Sequence, residues 1–157
     1  MSNSYYISHD DENISSVIGL EIAFVDEISF ININKSERTF GAIEFNPGCD
    51  FLNIYVTPGK SKADTKQKNK NGNIYYDSSI DAYHPKDRAD ATEKLFEMVK
   101  HKVIAKYKTG NGYTKLLGTL EEPAELMVDI SEPASGGYNG YKIKLSGNFT
   151  LPPLYEA

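Results

Sequence analysis

The side chains best suited to metal binding or nucleophilic chemistry are few: three histidines and a single cysteine in 157 residues. His9 lies in a polar N-terminal stretch, His84 precedes a proline, and His101 falls at the end of a predicted helix. None has a cysteine or second histidine at ligand spacing, so a zinc-type site is not indicated. His9-Asp10-Asp11-Glu12 offers oxygens to a divalent cation, but reads better as a solvated acidic tail. Ser15-Ser16 and Ser78-Ser79 lack the G-x-S-x-G surroundings of a nucleophile elbow. Thr109-Gly110-Asn111-Gly112 and Gly136-Gly137 lack the strand–glycine–helix setting of a phosphate cradle and read as turns. Glu121-Glu122 precede Pro123 in a predicted loop, and there is no Trp to stack a sugar ring against such a pair. Cys49 has no partner for an internal disulfide and reads as a small hydrophobe beside the Asn46-Pro47-Gly48 turn. The expectation is a chain that is not an enzyme and uses no cofactor or metal.

Length and composition say what must carry these residues. A chain of 157 residues fits one domain, because two halves would each have a thin core. The 11 Tyr and 7 Phe suit strand surfaces that are half packed and half wet, which favours β structure over a helical bundle. The start, Met1-Ser2-Asn3-Ser4-Tyr5-Tyr6, has neither the basic nor the apolar region of a signal peptide. No apolar run approaches the roughly 18 residues that span a bilayer. A protein kept in the cytoplasm, or leaving it without a cleavable signal, is expected, with no membrane partner.

The net charge of −5 is unevenly spread: residues 60–108 hold 12 of the 17 Lys/Arg and 7 of the 22 Asp/Glu, a local net of +5. The remainder carries 5 basic and 15 acidic residues, a net of −10. Solvated faces would account for this. So would a basic face meeting an acidic partner, including a second copy of the chain. Lysines on a loop attract phosphates, but few aromatics lie among them and the overall charge opposes free binding to DNA.

Residues 1–16 are polar and aperiodic and are expected to form a flexible arm that orders against a neighbour. A long strand is predicted from Leu20 to Ile33, broken only by Asp26 and covered on both faces. Further strands are predicted over 40–45, 51–57 and 74–83. Between the last two lie Pro58, Gly59, Lys60, Lys62, Lys66, Lys68, Lys70, Asn71 and Gly72, in a stretch with five lysines and almost nothing to bury. It reads as a long exposed hairpin arm with a mobile tip, turning at Asn71-Gly72. A helix is predicted over about 87–102, capped by Asp87, with Asp90 in its first turn. Its apolar stripe is Ala91, Leu95, Met98 and Val99. Lys100-His101-Lys102 suits its C-terminal end. Strands follow over 103–108, 113–118, 124–130 and 141–151, the last with a bulge at Gly147. Four strands, one helix and four strands predict a mainly β (α+β) antiparallel sandwich or partly open barrel with one flanking helix.

Three segments resemble small virion proteins of tailed phages and prophages: Phe51 to Gly59, Lys115 to Pro123, and Tyr141 to Tyr155. The resemblance spans roughly residues 43–155 and rests on order and spacing. It implies a β-sandwich subunit of a tail tube, tail terminator or neck ring, located in the virion after assembly in the host bacterial cytoplasm. It further implies that residues 58–72 reach a neighbouring subunit, and that the N-terminal arm, with Tyr5, Tyr6, His9, Asp10, Asp11 and Glu12, makes a second contact. The partners implied are copies of the chain, other tail or neck proteins, and at most non-specific proximity to DNA in a lumen. The divided charge would serve stacking, with the basic arm-and-helix region meeting an acidic surface. The long polar N-terminus departs from this pattern. A different reading is an adhesion or carbohydrate-binding β module, for which Tyr138 and Tyr141 are the candidate aromatic platform.

Overall fold

The structure, a computed structural model, describes residues 16–57, 59–85, 88–132 and 139–157. Strands before the helix are β1 (Val17–Phe24), β2 (Ile28–Asn34), β3 (Thr39–Phe45), β4 (Leu52–Ile54), β5 (Lys62–Lys70) and β6 (Asn73–Pro85). The helix α1 (Ala89–Met98) follows, then β7 (Val103–Thr109), β8 (Thr114–Leu117), β9 (Glu125–Ser131), β10 (Gly140–Phe149) and β11 (Leu154–Glu156). They form two sheets, a larger one in the order β2-β3-β11-β8-β7-β1-β4 and a smaller one in the order β5-β6-β10-β9. Every pairing is antiparallel except that of β11 with β3. The architecture is thus mainly β, two sheets with one helix, and not closed into a barrel.

The main core lies between the sheets. Leu20 and Ile22 of β1, Val103, Ala105 and Tyr107 of β7 and Leu117 of β8 meet Ile80 and Ala82 of β6, Leu126 of β9, and Tyr141, Ile143, Leu145 and Phe149 of β10. The helix closes it with Leu95 and Met98, backed by Ala91 and Val99, which is the predicted stripe. A second core covers the opposite face of the larger sheet. Ala23, Ile104 and Leu116 there meet Ile28, Ile31, Phe40 and Leu154. Parts of β1, β7 and β8 are therefore buried on both faces, which accounts for the consecutive apolar residues Ile22-Ala23, Val103-Ile104-Ala105 and Leu116-Leu117. Burying each Leu or Ile contributes about 1.5–3 kcal/mol.

Several sequence expectations are corrected. The long strand over 20–33 is two strands separated by a 3-10 turn at Val25–Glu27, where Asp26 had marked a break. The corner is held by Val25 N–H donating to Lys102 O (3.1 Å), Asn46 N–H to Glu27 O (2.8 Å) and Asn46 Nδ2 to Asp26 O (3.0 Å). It carries the chain from β1 to β2 on the far edge of the same sheet. The strand over 51–57 pairs with β1 only through Leu52–Ile54; beyond it, Thr57 N–H donates to Tyr83 O (2.7 Å) and the chain passes to the other sheet. β10 carries no bulge at Gly147, since its registers with β6 and β9 run unbroken. The glycine instead makes room for the Phe149 ring, which lies 2.6 Å from where a Cβ would stand. β5 is the outgoing side of the predicted hairpin arm, here a sheet strand; β11, after Pro152-Pro153, was not expected.

The helix is shorter than predicted. Asp87 lies outside the described residues, and the N-cap position is Arg88, in extended conformation with no side-chain cap. Asp90 does occupy the first turn. The chain is already pairing at Val103, whose N–H donates to Ala124 O (3.0 Å), so Lys100-His101-Lys102 connects the helix to β7 and does not extend it.

Candidate functional site

β6 is thirteen residues long and organises both surfaces that stand out on this molecule. At its start it forms a hairpin with β5, the ladder running from Lys62–Asp81 to Lys70–Asn73. Asn71 (φ 53°) and Gly72 (φ 83°) make the turn, both left-handed, as a tight two-residue hairpin turn requires. Asn69 Oδ1 accepts the Gly72 N–H at 3.0 Å and fixes it.

Period-two alternation sorts the strand's side chains. Ala63 packs against the core and Thr65 Oγ1 lies 3.1 Å from Ser78 Oγ, so odd positions face inward. Lys62, Asp64, Lys66, Lys68 and Lys70 fall together on the outer face. Lys62 pairs with Asp64 (3.6 Å) and Lys68 with Asp77 (3.3 Å). β5 is the edge of its sheet, and lysines on such an edge discourage indiscriminate strand pairing.

The predicted arm over 58–72 is for most of its length part of the sheet. β10 backs β6 from Pro85 as far as Tyr76. Only the rungs Lys68–Tyr75, Asn69–Ile74 and Lys70–Asn73 project beyond it. Ile74 faces inward there but is 53% exposed, because nothing stands behind it. Gly59 and Lys60 lie at the root of the hairpin. Gly59 N–H donates to Ser16 Oγ (3.1 Å), and the buried Ser61 Oγ donates to Thr57 O (3.2 Å) while accepting Tyr83 N–H (3.1 Å). The structure thus brings Lys68, Lys70, Asn71 and Gly72 together at the projecting tip, keeps Lys62 and Lys66 on the part of β5 whose partner strand is backed by β10, and separates Gly59 and Lys60 from the tip. Pro58, Tyr5, Tyr6, His9, Asp10, Asp11 and Glu12 lie outside the described residues.

The other end of β6 borders an open groove of about 870 Å³ between β4 and α1. Phe24, Leu52, Ile54, Tyr55, Leu95 and Met98 contribute its apolar lining. β4 is the terminal strand of the larger sheet, and its Leu52–Ile54 line this groove. His84 Nδ1 lies 2.8 Å from Tyr55 O, holding the end of β4 to β6. Tyr55 itself is 61% exposed and Leu52 43%. One rim carries Asp90, Glu93, Lys94 and Glu97, with Asp90 paired to Arg88 (4.0 Å) and Glu97 to Lys100 (3.0 Å). That spacing, three to four residues, places them along one side of the helix. With Arg88 and Lys100 included, the charges on this rim balance. This groove was missed in sequence because its walls come from segments some forty residues apart.

Tyr141 is fully buried and offers no platform for a sugar. Its hydroxyl donates to Arg88 O (2.8 Å), accepts Arg88 N–H (2.9 Å) and lies against Thr92 Oγ1, fastening the uncapped helix start to β10. Tyr138 lies outside the described residues. His101 stacks on Phe24, with ring centroids 4.5 Å apart. Among the titrating groups, burial and then the neighbouring Tyr155 push the Tyr107 hydroxyl far above the ordinary tyrosine range. The hydrogen bond and charge of Lys102 hold exposed Glu125 below the ordinary carboxylate value. Among the described residues no helix is long and apolar enough to cross a membrane. Comparisons with family models, with curated proteins and with solved structures found no match.

Proposed function

We propose that this chain is a structural subunit that assembles with copies of itself, a ring-forming part of a phage tail or head–tail neck that ends in the virion. The observation that carries this reading is the placement of two unlike surfaces at opposite ends of β6. One end projects a basic hairpin tip past its sheet; the other opens a strand edge beside an apolar groove. Unlike surfaces at opposite ends of one subunit support head-to-tail association, which closes into rings or extends into tubes. Strand edges and protruding hairpins are a common means of such joining. The phage setting is supported by the resemblance at 51–59, 115–123 and 141–155, and other tail or neck proteins would be further partners.

The test is sizing with negative-stain microscopy of the purified chain, at low and high salt. Rings or tubes that weaken as salt rises are the expected result. A strict monomer at high concentration under both conditions overturns the proposal.

A further inference from the structure

The groove between β4 and α1 leaves apolar surface in water: Leu52 and Tyr55 are exposed, beside Phe24, Ile54, Leu95 and Met98. Its rim is balanced, with Asp90 paired to Arg88 and Glu97 to Lys100. An occupant is therefore selected by apolar character and not by charge. The groove also has a direction. β1 and β4 are antiparallel, with Leu20 opposite Ile54 and Ile22 opposite Leu52. The groove thus runs from Tyr55 and His84 at one end toward Phe24, the last residue of β1, at the other.

The Tyr55–His84 end is where the described chain begins. Ser16 Oγ donates to Ser61 O (3.1 Å), and Val17 N–H donates to the same carbonyl (2.9 Å). Ser61 Oγ accepts Tyr83 N–H (3.1 Å), and Tyr83 O accepts Thr57 N–H (2.7 Å). Two such strand-to-strand steps put Ser16 about 10 Å from Tyr83, the neighbour of His84. From Ser16 to Phe24 at the far end, β1 covers about 26 Å at its rise per residue. Fifteen residues precede Ser16, and the one run of consecutive apolar residues among them is Tyr5-Tyr6-Ile7. Ile7 stands nine residues before Ser16, a reach of up to about 30 Å. That suffices to set the run anywhere along the groove.

We propose that Tyr5, Tyr6 and Ile7 of the chain's own N-terminal segment occupy the groove between β4 and α1. Tyrosine suits an open groove, because its ring is buried while its hydroxyl stays at the wet mouth. A tether this short gives an effective concentration on the order of a millimolar. A contact too weak to form between separate molecules is then made within one. This contact does not depend on self-assembly; in an assembly the docked segment would be part of the surface that this end of the subunit presents.

The chain has no Trp, so Tyr6→Trp in the full-length protein places a single indole on the segment. Its fluorescence should lie to the blue of free tryptophan and resist acrylamide quenching, at low and high salt alike. Leu52→Asp, at a partly exposed position, should keep the fold by circular dichroism and shift the emission to that of a solvated indole. Ile7→Asp, on the segment side of the contact, should shift it equally, and it decides the matter if Leu52→Asp fails to fold. A solvated indole in the Tyr6→Trp chain, or one that stays shielded in either folded variant, overturns the contact. Shielding that vanishes on dilution to where sizing finds only monomer means that a second copy's segment fills the groove, which overturns the own-chain contact. A chain that is monomeric at every concentration and still shielded overturns the self-assembly reading alone.

Discussion

Ile104 on β7 and Lys66 on β5 occupy equivalent places in antiparallel ladders, Ile104 opposite Ala23 and Lys66 opposite Asp77. Their surroundings could hardly differ more. β7 has neighbours on both edges and a core on both faces. β5 has one neighbour, its outer face in water and little but Ala63 touching the core. The first region holds the fold together by exclusion of water. The second is held by backbone hydrogen bonds to a strand that is itself anchored, which leaves its side chains free to serve some other end. A ladder therefore does not reveal which residues stabilise; cover on its faces does.

That contrast can be broken at several points. Ile104→Ala should cost about 2–5 kcal/mol, because a fully buried position in the second core is left with a cavity; urea denaturation would measure it, and a loss under about 1 kcal/mol would show that the β2–β3 cover collapses to fill the gap. Tyr141→Phe should cost about 1–2 kcal/mol, since Arg88 N–H, Arg88 O and Thr92 Oγ1 at the start of α1 lose the bonds to this hydroxyl while the ring packing stays. Amide exchange in α1 should rise with it, and an unchanged exchange rate would mean the helix start is held by other contacts. Lys66→Gln should change stability by less than about 0.5 kcal/mol, yet reduce assembly; a large fall in Tm would place β5 with the stabilising region after all.

The sequence was most legible where one face is packed and the other wet. β9, β10 and the stripe of α1 follow their periods closely, and Asn71-Gly72 marks its turn by conformation alone. β1 and β2 merged into one prediction because both of their faces are apolar, which hides where the chain changes direction. β5 was read only as the side of an exposed hairpin arm, not as a strand of the sheet, for the opposite reason. Its lysines carry no hydrophobic period, and its order comes from β6, which β10 holds from the far side. The groove was invisible because Leu52 to Tyr55 and Asp90 to Met98 become neighbours only through the fold. Buried Tyr141 was open to two uses, and nothing in the order of residues separates a Tyr that anchors a helix from one that stacks on a ligand.

β6 joins the two candidate surfaces as one uninterrupted strand, and that has a mechanical meaning. A pull on the hairpin tip, resisted at the groove, runs along the strand axis. It loads the rungs to β5 and to β10 together, in shear, instead of peeling them apart one at a time. Subunits joined end to end through the two ends of β6 would therefore carry tension along the strands of the smaller sheet.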